Sequence, residues 1–238
     1  MIDKIVRTMA EAMEGVRDGS VVLIGGFGSA GQPDELIEGL IEAGPTDLTV
    51  VANNAGTGRT GLARLMELGR VRKIVCSYPR SAGSVVVEEL FSAGRLELEL
   101  VPQGTLAERM RAAGAGIPAF YTPTGAGTLL ARGKEVRDFD GRPHVLEHAL
   151  RGDLALVEAW EADRWGNLTF RKSGRNFNPV MATAAALTVA QAQHVRELGE
   201  IEAERVVTPG VFVNRVIHVE RPAPWGVAPD GAPHDVAA

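Results

Sequence analysis

Val21–Ile24 runs apolar with no polar alternation, and a helical pattern follows it; the same pair of signals recurs three more times before residue 114. A strand that is apolar on both sides has to be covered on both faces, which is the situation of a buried parallel strand. Residues 48–52, 73–76 and 96–101 read as the further strands, and 33–43, 60–68, 84–91 and 105–113 as the helices between and after them. Pro33 with Asp34 and Glu35 behind it marks the first of these helix starts. Strands separated by helices of about ten residues specify a mainly parallel sheet with helices on both faces, an α/β fold.

Elsewhere the reading is coarser. Ile2, Ile5, Val6, Met9, Ala12 and Met13 form a one-face stripe that predicts a helix over 2–16, and Asp18-Gly19 a turn. Glycine and proline cluster in 114–127. Short strands are expected at 134–138, 153–158 and 167–171, then a helix near 179–185 leading into a strand over 186–191. The tail from Arg221, rich in Pro, Gly and Ala, reads as disordered, so residues 1–220 form the expected domain and 221–238 its tail.

Composition narrows the function classes. A net charge of −5 argues against nucleic acid or an anionic membrane as the main partner. The N-terminus carries acids and no long apolar run, so it does not read as a signal peptide. No stretch of about 20 apolar residues offers a membrane span, and the expectation is a soluble cytoplasmic protein. The single cysteine, Cys76, lies in the apolar run 73–76 and reads as a packed thiol.

The segment from Asp18 to Pro33 joins a strand, a glycine-rich loop and a helix start. Glycines let a backbone approach a ligand, and a helix N-terminus favours negative charge. No Gly-Lys-Ser/Thr follows, which excludes a P-loop. Gly26-Phe-Gly-Ser-Ala-Gly31 does fit the dinucleotide spacing, but Asp47 falls before the second strand instead of at its end.

Asp18, Gly19, Val22 to Ile24, Gly25, Gly26, Phe27, Gly31 and Pro33 together resemble the alpha-subunit signature of the 3-oxoacid CoA-transferases. Blocks similar to that family continue in order: Asn53-Asn54-Ala55-Gly56, Pro102 to Arg109, Tyr121 to Gly125, Gly127-Thr128, Asp163 to Asn167 and Arg175 to Asn178. The resemblance implies ping-pong transfer of CoA from succinyl-CoA to a 3-oxoacid, through a glutamate that attacks the thioester. It implies that this glutamate sits on a beta subunit, in a Ser-Glu-Asn-Gly motif that this chain lacks. The coenzyme A thioester would be a substrate, with no permanently bound cofactor and no metal.

This chain would then supply a cradle. Backbone N–H groups of Gly25, Gly26, Phe27 and Gly28 are the expected oxyanion donors. Asn53, Asn54, Gln103 and Gly104 are the expected substrate-binding residues, at the carboxyl ends of strands where α/β sheets bind ligands; a plain turn is the alternative for Asn53 and Asn54, and loop geometry for Gly104. Ser77-Tyr78-Pro79-Arg80 resembles the 3-oxoadipate branch, and Arg80 is proposed to read that acid's distal carboxylate, a solvated loop arginine being the alternative. Acetoacetate is the alternative acceptor. From a different class, a non-catalytic α/β protein binding acyl or phosphorylated ligands fits the same residues. Glu108 reads as a salt-bridge partner.

Three features stand outside this scheme. His144-Val-Leu-Glu147-His148 has zinc-protease spacing if helical, though two surface histidines account for it more simply. Trp160 and Trp165 flank a turn and read as packing residues. Arg171, Lys172 and Arg175 form a basic cluster: a solvated face, or one that meets CoA phosphates or acids across an interface between subunits.

Overall fold

The protein is described from a computed structural model, which covers residues 2–80 and 83–220; the tail read above as disordered lies outside them. In chain order the elements are β1 (Ile5–Val6), α1 (Met9–Ala12), β2 (Val21–Ile24), α2 (Asp34–Ala43), β3 (Leu48–Val51) and α3 (Gly61–Glu67). There follow β4 (Val71–Cys76), α4 (Val85–Ser92), β5 (Glu97–Leu100), α5 (Gln103–Gly114), β6 (Ala119–Thr122), β7 (Val136–Phe139) and β8 (Arg142–His148). The last are β9 (Gly152–Asp163), β10 (Leu168–Thr169), α6 (Asn178–Thr183), β11 (Ala185–Arg196) and β12 (Arg215–His218).

Nine strands form one sheet in the order β1-β12-β11-β9-β2-β3-β4-β5, with β10 paired to β9. All neighbours are parallel except β10. Alternate side chains go to opposite faces. Val22, Ile24, Val50, Ile74 and Cys76 pack on one side with Leu36, Leu62 and Val86 of α2, α3 and α4. Leu23, Val51 and Val75 pack on the other with Leu106 of α5 and Met181 of α6. Both faces are buried, which is why these strands show no polar alternation.

One expectation is corrected, the strand expectations are extended, and the zinc alternative falls. Residues 2–16 are not one helix: Ile5 pairs with Val216 as a parallel edge strand, and Thr8 then starts the short α1 with a reciprocal capping box to Glu11. The stripe is shared between two elements and both core faces, with Val6, Met9, Ala12 and Met13 on one side of the sheet and Ile5 on the other. The 134–138 signal is half of a hairpin, whose other strand β8 pairs with both β6 and β7 in a three-stranded antiparallel sheet. His144 and His148 are therefore on a strand, while Glu147 is buried in an ion pair with Lys134, so helical zinc-protease geometry does not form. Finally, β9 and β11 extend over twelve residues each, well beyond the short strands expected at 153–158 and 186–191.

The register sets where function can lie. Leu23 is beside Val51, Val51 beside Val75 and Cys76 beside Leu100. The loops after β2, β3, β4 and β5 consequently emerge side by side at one carboxyl edge.

Candidate active site

The loop after β2 is held from the far side of the sheet. Asn178, fully buried at the start of α6, donates through Nδ2 to Gly31 O and Gly174 O, both at 2.9 Å. Its Oδ1 accepts from Glu158 N at 3.0 Å. Asn176 Oδ1 accepts from Gly26 N at 3.1 Å, and Asn176 Nδ2 donates to Ala30 O at 2.8 Å. Two glycines of the signature exist because of this interlock. A Cβ on Gly25 would lie 1.8 Å from Asn178 Oδ1, and one on Gly31 would lie 2.5 Å from Gly174 O, at a φ of +64° that itself favours glycine.

The same bonds decide which amides face outward. Gly25 N donates to Leu156 O at 3.0 Å, Gly26 N to Asn176, and Phe27 N to Ala30 O at 3.0 Å. Three of the four expected oxyanion donors are thus already engaged, one by β9, one by Asn176 and one within the loop, because buried backbone must be satisfied. Among the described residues nothing accepts from the Gly28 N–H. The oxyanion expectation narrows to that one donor.

The next two loops meet through Asn53, which is 3% exposed. Its Oδ1 accepts from Ser77 Oγ at 2.7 Å and from Gln103 Nε2 at 2.8 Å. Its carbonyl accepts from Ser77 N and Tyr78 N at 3.1 and 3.0 Å. With the oxygen doubly held, the Asn53 NH2 is turned away as a donor with no described acceptor. The Asn54 amide bonds no described residue either, and the residue is 7% exposed. Gln103 and Gly104 open α5, whose first turn carries no acid. A Cβ on Gly104 would meet nothing within 4 Å, so nothing in this chain alone requires glycine there.

Asn53, Ser77 and Gln103 are brought together; Arg80 is not joined to them. Arg80 is exposed on the loop after β4, with Nη2 3.5 Å from Glu88 Oε2. The Glu108 carboxylate is bonded to Arg111 at 2.8 Å, one turn further along α5. Glu158, buried beside the glycine loop, accepts from Gln193 at 2.9 Å and from Gln191 at 3.5 Å. Cys76 is buried, and burial pushes its thiol up to about 12, which keeps it protonated and unreactive. The sequence reading missed the holding role of Asn176 and Asn178. The available signal was a pair of asparagines two apart, beside a glycine-rich segment whose backbone needed partners.

The turn 171–175 lies over the same edge. Arg171 stacks on Trp160 at 4.6 Å, and His194 meets that indole edge-on at 4.4 Å, so Trp160 is a packing residue. Trp165 is about half exposed.

The family described as Coenzyme A transferase matches residues 6–219. A Pseudomonas putida protein, named as the A-type subunit of 3-oxoadipate CoA-transferase, is 56% identical over 228 residues, covering 96% of this chain and 99% of its own. A protein of the same name from Acinetobacter baylyi is 56% identical over 229 residues, covering 96% and 100%. Among solved structures, an acyl-CoA transferase from Escherichia coli O157:H7 superposes with a TM-score of 0.80 at 20% identity. The match covers 91% of this chain and 47% of that longer one, so this chain spans about half of it.

Proposed function

The chain belongs to the coenzyme A transferase family, and from that premise we propose that it is the alpha subunit of a heteromeric enzyme moving CoA from succinyl-CoA to 3-oxoadipate. The observation that carries the split-site reading is what the carboxyl edge holds. Asn53, its oxygen held by Ser77 and Gln103, keeps an amide donor on the edge that also bears the glycine loop, while Glu108 and Glu158 are already engaged in hydrogen bonds. Such an edge can hold an acyl group but offers no poised nucleophile, and the attacking glutamate comes from a beta subunit.

In this mechanism the partner's carboxylate attacks the thioester carbonyl, giving an acyl anhydride and free CoA thiolate. The thiolate then attacks the glutamyl carbonyl to give an enzyme thioester and the first acid. The second acid repeats these steps in reverse, so the full cycle returns the carboxylate unchanged. This chain's part is electrostatic. The Gly28 N–H stabilises the oxyanion on the acyl carbonyl, an effect worth about 3 kcal/mol per donor in comparable sites. The Asn53 and Asn54 amides hold the acid's carboxylate or keto oxygen near the N-terminus of α5, where the helix dipole favours negative charge.

Arg80 is proposed to leave Glu88 and pair with the distal carboxylate of 3-oxoadipate. The test is CoA transfer from succinyl-CoA by the chain co-purified with its beta subunit, with 3-oxoadipate and acetoacetate compared and each of the two chains assayed by itself. Activity only in the complex, with 3-oxoadipate preferred and that preference lost in Arg80→Ala, is expected. Preference for acetoacetate would remove the Arg80 role; full activity from this chain alone would overturn the split site.

A further inference from the structure

Arg171, Lys172 and Arg175 are three exposed cations within five residues, and none of them forms an ion pair with a described residue. Elsewhere arginines and lysines of this acidic chain commonly find carboxylates, as Arg59, Arg72, Arg109 and Arg196 do. The turn that carries them is built, not loose. Asn176 and Asn178 tie it to the glycine loop through Ala30, Gly31 and Gly174. The Arg171 guanidinium is fixed on the Trp160 ring at 4.6 Å. Lys172 has a φ of +49°, which a side-chain-bearing residue rarely adopts.

The start of α2, which follows the glycine loop, does not compete for an anion, since its first turn carries Asp34 and Glu35. A single substrate carboxylate would not need three cations. A 3′-phosphorylated nucleotide diphosphate, carrying about four negative charges near neutral pH, would. We infer that the 171–175 turn is the docking point for the phosphates of the CoA substrate, with the pantetheine arm running along the carboxyl edge to the Gly28 loop. This rests on the CoA-transferase reading and adds the coenzyme subsite to it.

The test uses the complete complex with the beta subunit. It compares two donors, succinyl-CoA and succinyl-pantetheine, the second of which lacks the phosphorylated nucleotide. Arg171→Ala, Lys172→Ala and Arg175→Ala should each raise KM for succinyl-CoA about tenfold at low salt, with kcat nearly constant. KM for succinyl-pantetheine should not move, and Arg175→Lys should recover part of the loss. Arg142→Ala, an exposed arginine on the small sheet, serves as the control. Equal losses with both donors, or none with either, would overturn the inference. So would a change confined to acceptor preference or to assembly with the partner. Calorimetric titration of free CoA against pantetheine reads the same subsite without turnover. A complex that transfers no CoA yet loses CoA affinity in Arg175→Ala would keep the subsite and remove the proposed reaction.

Discussion

Asn178 stands where a side chain on Gly25 would have to be, its Oδ1 only 1.8 Å from the position of that Cβ. A residue at the start of α6 on one face of the sheet thereby dictates glycine in the loop after β2. Gly25→Ala would displace the asparagine and leave Gly31 O, Gly174 O and Glu158 N without their partner. The expected cost is about 2–4 kcal/mol, read as a lower urea midpoint with an unchanged slope.

Gly104→Ala is the contrasting case, because its Cβ enters open space at the start of a helix. Stability should hold or rise by up to about 1 kcal/mol. A fall in kcat/KM despite intact stability would show that a ligand needs that space; unchanged kinetics would leave Gly104 as a helix-start residue alone.

Asn53→Asp keeps an acceptor for Ser77 and Gln103 but replaces the outward NH2 with an oxygen. In the complex kcat/KM should fall about 10–100-fold, with the melting temperature of the chain within a few degrees of the parent. Parent-like kinetics would exclude Asn53 from substrate contact.

Burial raises the Cys76 thiol from 9.0 to about 12. Between those values the unfolded chain has released a proton that the folded chain still holds. Stability therefore falls as pH rises from about 9 toward 12, by at most about 1.4 kcal/mol per pH unit. Denaturation midpoints measured across that range should fall less steeply in Cys76→Ala, and iodoacetamide should label the parent only after unfolding.

Glu99 shifts the opposite way. Burial alone would push its carboxyl up, but hydrogen bonds and charge from Lys73 and Arg109 outweigh it and hold it below the ordinary 4.5. The resulting stabilisation is present above 4.5 and is lost as pH falls through the lowered value. Glu99→Gln should flatten the acid limb of a stability–pH curve measured by denaturation, while a limb of unchanged steepness would assign the acid sensitivity to other carboxylates.

The first half of the fold was legible because its signals are local. Val21–Ile24 and the helix behind Pro33 are announced by residues next to one another. The region after residue 114 was harder, since β6, β7 and β8 are largely exposed or half-buried strands that pair among themselves. Ile5 was read as helical because its strand exists only through Val216, more than two hundred residues away. At the site, motifs drew attention to Asn53 and Gln103, and folding joined them. The holding role of Asn176 and Asn178 could not be seen locally, because it consists of bonds to a loop in another part of the chain.

That separation has a temporal consequence. The contact from Gly26 to Asn176 spans 150 positions and that from Gly31 to Asn178 spans 147. During synthesis β2 and α2 emerge early, but the loop between them has no clasp until α6 has left the ribosome. Contacts of such long sequence separation form late, after their loop-closure entropy has been met by other structure. The cradle is thus a certificate of completion, closed only on a chain that has been made and folded past its sixth helix.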